Sequence, residues 1–411
     1  MTANWKPRSA QNDRELRLWR VGWALGLAFA AAVLVAGGIF YSLVVLLGYK
    51  EVDSTAKLDA KTLFDLVKLS FGVVAGAGAL VALVVAYRRQ RVDEAGAHRE
   101  ATRLHTERFS QAVDKLGSDS PAVQLGGVHA LAGLADDAPD DNLRQTCIDV
   151  LCAYLQLPFT PDPGDDPAHQ EEHHRYLAFR KVRHTILRLI GDHYRRPKGT
   201  HRSWQGCDLD LTGVTIDGTM SFKGANFAGA RVSFDDANFS GGIVSFSGAH
   251  FSGGIVSFSG AHFSGGHVHF TGATFSGGHL YFVSTTFSGG RVSFASASFS
   301  GSTVSFASAS FSGGHVSFTS ATFSEGHVYF LAATFSGANV NFLGATFSGS
   351  EVSLSEVRFF GGAVSFDGVR FFGGTVSFTE ATGQVPSGLR AAAITASGPV
   401  VFPDAWLPVN P

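Results

Sequence analysis

The sequence is poor in cysteine and almost without net charge. Its 411 residues include three cysteines, Cys147, Cys152 and Cys207, and no C-x-x-C pair. This excludes a disulfide framework and a cysteine-based metal site, and is typical of inert thiols in a reducing compartment. Basic and acidic residues nearly cancel, at 32 and 34, so the formal net charge is -2 and no general field attracts nucleic acid.

The sequence also lacks recognisable catalytic motifs. It contains no Ser/His/Asp order, no phosphate-cradling motif and no pair of catalytic carboxylates, so it predicts neither an enzyme nor a cofactor. His169 and His173 stand four residues apart with two glutamates between them, but the H-E-x-x-H order and a third ligand are missing. We therefore expect a solvated helix start there rather than a metal site.

Two long apolar runs lie near the N-terminus. Residues 21–47 contain no charge, and Leu69–Tyr87 form a second uncharged run. Each is close to the roughly 20 residues that a helix needs to cross a bilayer. Basic residues flank the outer ends of both runs, at Lys6, Arg8, Arg14, Arg17 and Arg20 and at Arg88, Arg89 and Arg91. After a cytosolic tail of residues 1–17, the sequence thus predicts a transmembrane hairpin over residues 18–90, in contact with the lipid bilayer, with both termini cytoplasmic.

Small residues recur within both apolar runs. Gly22 and Gly26 stand four residues apart in the first, as do Gly72 and Gly76 in the second. This spacing lets helix backbones approach closely. The two runs can therefore pack on each other or on a second copy of the chain, which leaves a homo-oligomer open as an alternative.

Helical periodicity follows over residues 91–200. Leu104, Phe109, Val113 and Leu116 share one helix face. Ser120-Pro121 is typical of an N-cap followed by a first-turn proline. Further apolar stripes continue through residues 125–134, 148–155 and 176–190. We expect a cytosolic helical connector.

Phenylalanine then recurs at alternating spacings of five and seven residues. The pattern runs from Phe222 to Phe378, with Leu354 replacing one phenylalanine. The unit is twelve residues long, V-S-F-x-G-A-x-F-S-G-G-x, and residues 239–249 and 251–261 spell the same string. A repeat held this long predicts a stacked solenoid, over residues 201–380, with residues 381–411 as a C-terminal cap or tail.

The connector and the repeat together resemble a known family. The stretches ERFSQAVDKLGSDSPAVQLGGVHALAGLADD (107–137) and VRHTILRLIGDHYR (182–195), followed by phenylalanine-centred repeats, are similar to the membrane-anchored pentapeptide-repeat proteins of bacteria, especially actinobacteria. Residues 225–229 and 237–241 fit the five-residue unit A-(D/N)-L-x-x of that family, with Phe in place of Leu. The resemblance implies a bacterial inner-membrane protein with a right-handed, four-sided β-helix.

In that family the central residue of each unit, and the residue two before it, point inward. Applied here, the rule predicts four phenylalanines and four smaller residues inside a 24-residue coil. A twelve-residue coil is the alternative, but it is too narrow for two inward phenylalanines. Six to seven coils would extend about 30 Å. The predicted core ladder comprises Phe227, Phe234, Phe239, Phe246, Phe251, Phe258, Phe263, Phe270, Phe275, Phe282, Phe287 and Phe294.

Three functions are compatible with this architecture. The first is a membrane-tethered, non-enzymatic scaffold that presents the solenoid to an unknown protein partner. The second is a regulatory or sensory membrane protein whose solenoid multimerises. The third, mimicry of DNA toward topoisomerases, is known in the family and needs an acidic rod. Residues 222–380 hold seven acidic and five basic residues, which disfavours that third function, and no nucleic acid partner is expected.

Histidines recur at one outward position of the repeat, at His267, His279, His315 and His327. They could form a metal-binding or pH-sensing ladder. The alternative is a variable outward corner, because the same position also holds Ile243, Thr303 and Glu351.

Overall fold

The computed structural model describes residues 26–27, 29–31, 33–34, 37–38, 60–160, 162–164 and 166–407. The chain divides into two compact units, Met1–Ala101 and Thr102–Pro411. Most of the first predicted apolar run, and all of the predicted tail of residues 1–17, lie outside the described residues.

The prediction of a multi-pass inner-membrane protein is wrong. None of the helices in the described ranges has both the length and the apolar character needed to cross a membrane. The second predicted span belongs to a longer helix, α1 (Ala60–Leu116), which continues into the charged sequence after residue 87. The middle of that span, residues 72–79, is mostly glycine and alanine.

Three further helices form the connector. They are α2 (Pro121–Asp136), α3 (Asp141–Gln156) and α4 (Gln170–Tyr194), the last preceded by a 3-10 turn at Pro167–His169. Pro121 occupies the first turn of α2, and the Asp140 carboxylate caps α3 by accepting a hydrogen bond from the Leu143 backbone N–H at 2.9 Å. Apolar side chains of all three helices are buried together.

From residue 209 onward the chain forms a right-handed β-solenoid with four parallel sheets, named here faces 1 to 4 in the order in which the chain visits them. Face 1 holds Leu209–Asp210, Arg231–Ser233, Ile255–Ser257, His279–Tyr281, Thr303–Ser305, His327–Tyr329, Glu351–Ser353, Thr375–Ser377 and Val400–Val401. Face 2 holds Thr215–Ile216, Asn238–Phe239, His262–Phe263, Thr286–Phe287, Ser310–Phe311, Thr334–Phe335, Arg358–Phe359 and Thr382–Gly383. Face 3 holds Met220–Ser221, Ile243–Ser245, His267–His269, Arg291–Ser293, His315–Ser317, Asn339–Asn341 and Ala363–Ser365. Face 4 holds Asn226–Ala228, His250–Ser252, Thr274–Ser276, Ser298–Ser300, Thr322–Ser324, Thr346–Ser348 and Arg370–Phe372.

The strand register confirms a 24-residue coil. On face 3, His267 pairs with Arg291, and Arg291 pairs with His315, so each partner is 24 residues away. Face 1 has nine strands, which makes eight turns rather than the predicted six to seven. The prediction counted coils by their phenylalanines and so missed the terminal turns, which have other residues there. The core of the first coil contains Leu209, Ile216 and Met220, and the last strand is Val400–Val401.

The glycine pairs explain why the structural period is twice the sequence period. After a strand of face 4 the first glycine of the pair takes the left-handed conformation, as at Gly253 with φ +67°. After a strand of face 2 it is the second glycine, as at Gly266 with φ +65°. Glycine adopts positive φ without steric cost, so one Gly-Gly sequence serves two different corners.

Both ends of the solenoid core are covered. At the first coil, Tyr194 of α4 stacks on Phe227 with ring centroids 5.0 Å apart. At the last coil, Trp406 is buried against Phe378 at 5.6 Å, and its indole N–H donates to the Gly383 carbonyl oxygen at 3.1 Å. A short helix, α5 (Leu389–Ile394), and a 3-10 turn at Asp404–Trp406 complete this end. Neither open end therefore exposes the stacked rings to water.

Candidate interaction surface

All twelve phenylalanines of the predicted ladder point into the solenoid. Each is at most 5% exposed. They form four columns in which rings 24 residues apart stack nearly parallel, as for Phe239 and Phe263 at 4.6 Å with an interplanar angle of 4°. Rings from opposite faces meet edge to face across the core, as for Phe258 and Phe270 at 5.7 Å and 90°. Both geometries are favoured by the aromatic quadrupole.

Because these twelve phenylalanines are buried, they cannot contact a partner, and the side chains that alternate with them are the ones that face solvent. On faces 1 and 3 the first and third residues of each three-residue strand point outward. Serine occupies the third position in most coils, for example Ser233 and Ser353 on face 1. Small hydroxyl side chains of this kind offer little contact area.

Face 1 departs from this pattern in two coils. Tyr281 and Tyr329 replace the third-position serine, and each stacks on the histidine at the first position of its own strand. The ring centroids are 5.7 Å apart for His279 and Tyr281 and 5.8 Å apart for His327 and Tyr329, both with interplanar angles of 4°. We call these four residues the His–Tyr patch.

The two pairs of the patch lie on the same face, two strand layers apart. Tyr281 pairs in register with Ser305, which pairs with Tyr329. At about 4.8 Å per layer, the tyrosines are about 10 Å apart. Ser305, in the layer between them, is a small side chain that is 7% exposed. The patch therefore consists of two aromatic pairs on one face, separated by one layer with small side chains.

The patch is nearly free of formal charge. Among the described residues, one ion pair involves the patch: His327 Nδ1 lies 3.1 Å from Glu351 Oε2, and both side chains are exposed. Partial burial raises the pKa of Tyr329, so its hydroxyl stays protonated at neutral pH. Tyrosine hydroxyls and imidazole nitrogens can then donate and accept hydrogen bonds at the edge of an apolar surface, a combination enriched at protein interfaces.

The opposite face offers no equivalent patch. On face 3 the outward column contains Ser245, His269, Ser293, Ser317 and Asn341. His269 is the one aromatic ring among them, 6.1 Å from the ring of His267. The pKa of His269 is lowered, mainly by burial and further by the nearby His267 and Arg291. The neutral imidazole is therefore favoured.

The four predicted corner histidines do not form one ladder. His267 and His315 lie on face 3 with Arg291 between them, whereas His279 and His327 lie on face 1 with Thr303 between them. No group of three or more His, Cys, Asp or Glu side chains in the described part of the chain could hold a metal ion. His173, considered above as a ligand, contacts Asp162 at 2.7 Å.

An ionic cluster fixes the connector to the first coil. Asp217, in the turn between faces 2 and 3, accepts hydrogen bonds from Arg180 Nε at 2.7 Å, Tyr176 Oη at 3.0 Å and His184 Nε2 at 3.0 Å. The hydrogen bonds from His184 and Arg180 hold the pKa of Asp217 well below its usual range. All three partners lie on α4, so this cluster sets the position of that helix on the solenoid.

The three cysteines have the environment of inert thiols. Burial raises the pKa of Cys147 to about 11, of Cys152 to about 12 and of Cys207 to about 11. Cys147 lies 3.8 Å from His105 Nε2, but a thiol with a raised pKa supplies little thiolate. This Cys–His contact is therefore not a nucleophile–base pair.

The sequence contained a signal for the patch that spacing alone did not reveal. The strings HLYF and HVYF carry tyrosine where the repeat has serine before the core phenylalanine. Which residues share a face depends on the coil length: the 24-residue coil places residues 279–281 and 327–329 on face 1 and separates them from residues 267–269 and 315–317, which lie on face 3. The sequence did not predict the cluster at Asp217, because its hydrogen-bond partners are 33 to 41 residues earlier in the chain.

The comparisons with known proteins agree with this architecture. A family model described as pentapeptide repeats (9 copies) matches residues 241–286, which lie within the solenoid. No curated protein and no solved structure matches the chain. Neither the membrane-anchored nor the actinobacterial type suggested by the sequence gains support. The family match and the four-sided solenoid together support a pentapeptide-repeat protein, a fold that is generally non-enzymatic and suggests a protein-interaction rod.

Proposed function

We propose that this protein is a non-enzymatic scaffold that binds another protein through face 1 of its solenoid. The observation that carries the proposal is the His–Tyr patch, in which two tyrosines replace the third-position serine of face 1 and each stacks on the histidine of its own strand. Tyrosine is enriched among residues that dominate binding energy, because it buries a large area at a low cost in conformational entropy.

Charge favours a protein partner over a nucleic acid. Between Arg231 and Glu351 the outward column of face 1 contains no charged residue. Nucleic acid affinity depends on many basic side chains that neutralise phosphates. Mimicry of DNA would need the reverse, a dense acidic surface, which this face also lacks.

The test uses the serine that the repeat itself places at this position. In the double variant Tyr281→Ser/Tyr329→Ser, both aromatic rings are lost but the strand sequence becomes that of the neighbouring coils. The matched control is His269→Ser/Asn341→Ser on face 3. Proteins captured from the source cells by the native chain are identified, and their affinities for the three chains are compared.

We expect the face 1 variant to bind the captured partner at least about 30-fold more weakly, as loss of a central tyrosine cluster costs about 2 kcal/mol or more. The face 3 control should bind like the native chain. Equal affinity of all three chains would disprove the role of face 1. Sedimentation of the native chain shows whether the partner is a second copy, since a homo-oligomer formed through the patch would dissociate in the face 1 variant.

A further inference from the structure

A cavity of about 540 Å³ lies in the connector, away from the solenoid faces. It is bounded by α2, α3, α4 and the segment that follows α3. Its volume falls within the range of small-molecule sites in proteins, roughly 300–1,000 Å³. Nothing in the proposed scaffold function uses it.

Aromatic side chains form much of the cavity wall. Tyr154, Phe159, Tyr176 and Phe179 all line it. Phe159 and Tyr176 stack with ring centroids 5.1 Å apart. Such walls suit a flat apolar body, which gains by leaving water.

Two polar side chains of the wall are more than nine-tenths buried. Gln124 and Arg183 are each 7% exposed. Gln124 is committed to its neighbours, since its amide oxygen accepts from Tyr154 Oη at 2.8 Å and its nitrogen donates to the Ser118 carbonyl oxygen at 2.7 Å. Arg183 is therefore the buried polar side chain of this wall whose hydrogen-bond donors are still available to a ligand.

Arg183 is a buried cation with no salt bridge to an acidic side chain among the described residues; the Asp217 carboxylate acts on it electrostatically but is itself paired with Arg180 and His184. The one hydrogen bond of Arg183 runs from Nη2 to the neutral Leu155 carbonyl oxygen at 2.7 Å, and its guanidinium lies 4.8 Å from the centre of the Phe159 ring. A guanidinium has five N–H donors, so four have no protein acceptor in the described contacts. Burial lowers the pKa of Arg183, which expresses the cost of desolvating this charge.

We propose that the connector cavity binds a small carboxylate with a flat apolar body. The carboxylate pairs with Arg183, and the body lies between the aromatic side chains of the wall. A guanidinium and a carboxylate match each other with two parallel hydrogen bonds, and a buried anion compensates the desolvated cation. The charges at the rim, Glu172 and Arg175, are exposed and opposite in sign, so neither decides the charge of the ligand.

The probes are 1-naphthoate and its neutral analogue 1-naphthamide, titrated into the full chain by isothermal titration calorimetry. We expect saturable naphthoate binding with a Kd below about 1 mM, and affinity for the amide at least tenfold lower. Arg183→Met keeps most of the side-chain volume without the charge, and should weaken naphthoate binding at least tenfold. Absence of saturable naphthoate binding, or equal affinity for both probes, would overturn the proposal.

Controls separate binding from folding. Arg188→Met removes an exposed arginine of the same helix that pairs with Asp192 outside the cavity, and should leave naphthoate affinity unchanged. Arg183→Met removes a desolvated charge but also the hydrogen bond to the Leu155 carbonyl oxygen, and these two effects on stability oppose each other. Its melting temperature without ligand is therefore measured first, to establish that the variant is folded. Should it fail to fold, Arg183→Lys retains the charge but not the paired geometry, and we expect intermediate affinity. Unchanged naphthoate affinity in Arg183→Met, or in Arg183→Lys, would assign Arg183 a purely structural role.

Discussion

At the scale of single residues, each coil repeats a small set of environments. Phe294 shows the most demanding of them, with no exposed surface and rings stacked above and below at 4.8 Å and 4.9 Å. The spacing of phenylalanines in the sequence predicts this inward position, because a solenoid has no other place for so many large apolar side chains. It does not predict which outward residues become neighbours, since that depends on coil length.

Phe294→Asp should abolish folding of the solenoid, whereas Ser293→Asp should not. A carboxylate at position 294 would be buried among aromatic rings without a partner, which costs several kcal/mol even after its protonation. Ser293 is the adjacent outward position and is partly exposed. Soluble yield and the far-ultraviolet circular dichroism of β-sheet check the pair. Comparable loss of the sheet signal in both variants would refute the inward assignment.

A second environment is a turn position with a left-handed backbone. Ala332 has φ +54°, where the equivalent residue twelve positions later is Gly344 with φ +65°. A Cβ atom in this conformation costs about 1–2 kcal/mol, and replacing alanine by glycine removes that cost. Part of this gain is lost, because glycine has more conformational entropy than alanine in the unfolded state. Ala332→Gly should therefore stabilise the protein by up to about 1 kcal/mol in denaturant unfolding. Ala333→Gly, at a buried neighbour, should destabilise it by about 1 kcal/mol, and the same sign for both would contradict the assignment.

At the scale of elements, the important contact is that of α4 with the first coil. The Asp217 cluster supplies its charge pairing, and Gly191 allows α4 to approach closely, since a side chain there would meet the Ser221 carbonyl oxygen. The helical periodicity of α4 was visible in the sequence because its apolar stripe is regular. Its docking partner was not, because a single aspartate in a turn has no periodic signal.

Asp217→Asn should destabilise the protein at neutral pH by on the order of 2 kcal/mol, since hydrogen bonds to a charged group are worth about 1.5–3 kcal/mol. The folded pKa of Asp217 is depressed, so its contribution is complete above the unfolded value near 3.9 and is lost as pH falls below it. Urea unfolding of the native chain and the variant at pH 7, 5 and 3 checks this. The difference in unfolding free energy between the native chain and Asp217→Asn should become smaller toward pH 3. A difference that does not change with pH would exclude the proposed ionic role of Asp217.

At the scale of the whole solenoid, sequence period and structural period differ by a factor of two. The twelve-residue unit is visible in the sequence, but the two Gly-Gly corners look alike there and differ only in which glycine takes positive φ. The volume of four phenylalanines favoured the longer coil, and the strand register confirmed it. The consequence for function is that residues 24 or 48 positions apart share a face, whereas residues 12 or 36 apart lie on opposite faces.

Two deletions exploit this difference. Removing residues 291–314 takes out one coil and joins Gly290 to His315, which restores the normal Gly-Gly-His sequence. The two His–Tyr pairs then lie on adjacent layers of face 1. Removing residues 291–302 joins Gly290 to Thr303 and takes out half a coil, so the second pair moves to face 3.

Both deleted chains should fold, because both junctions keep the repeat pattern and every later strand finds an inward Val or Phe to stack on. Only the half-coil deletion separates the His–Tyr pairs, so it should lose partner affinity by about as much as the tyrosine double variant. The full-coil deletion should retain more affinity than the half-coil deletion, since its aromatic area stays on one face. Circular dichroism establishes folding, and titration with the captured partner measures affinity. If the half-coil deletion binds as well as the full-coil deletion, the two pairs do not act together on one face.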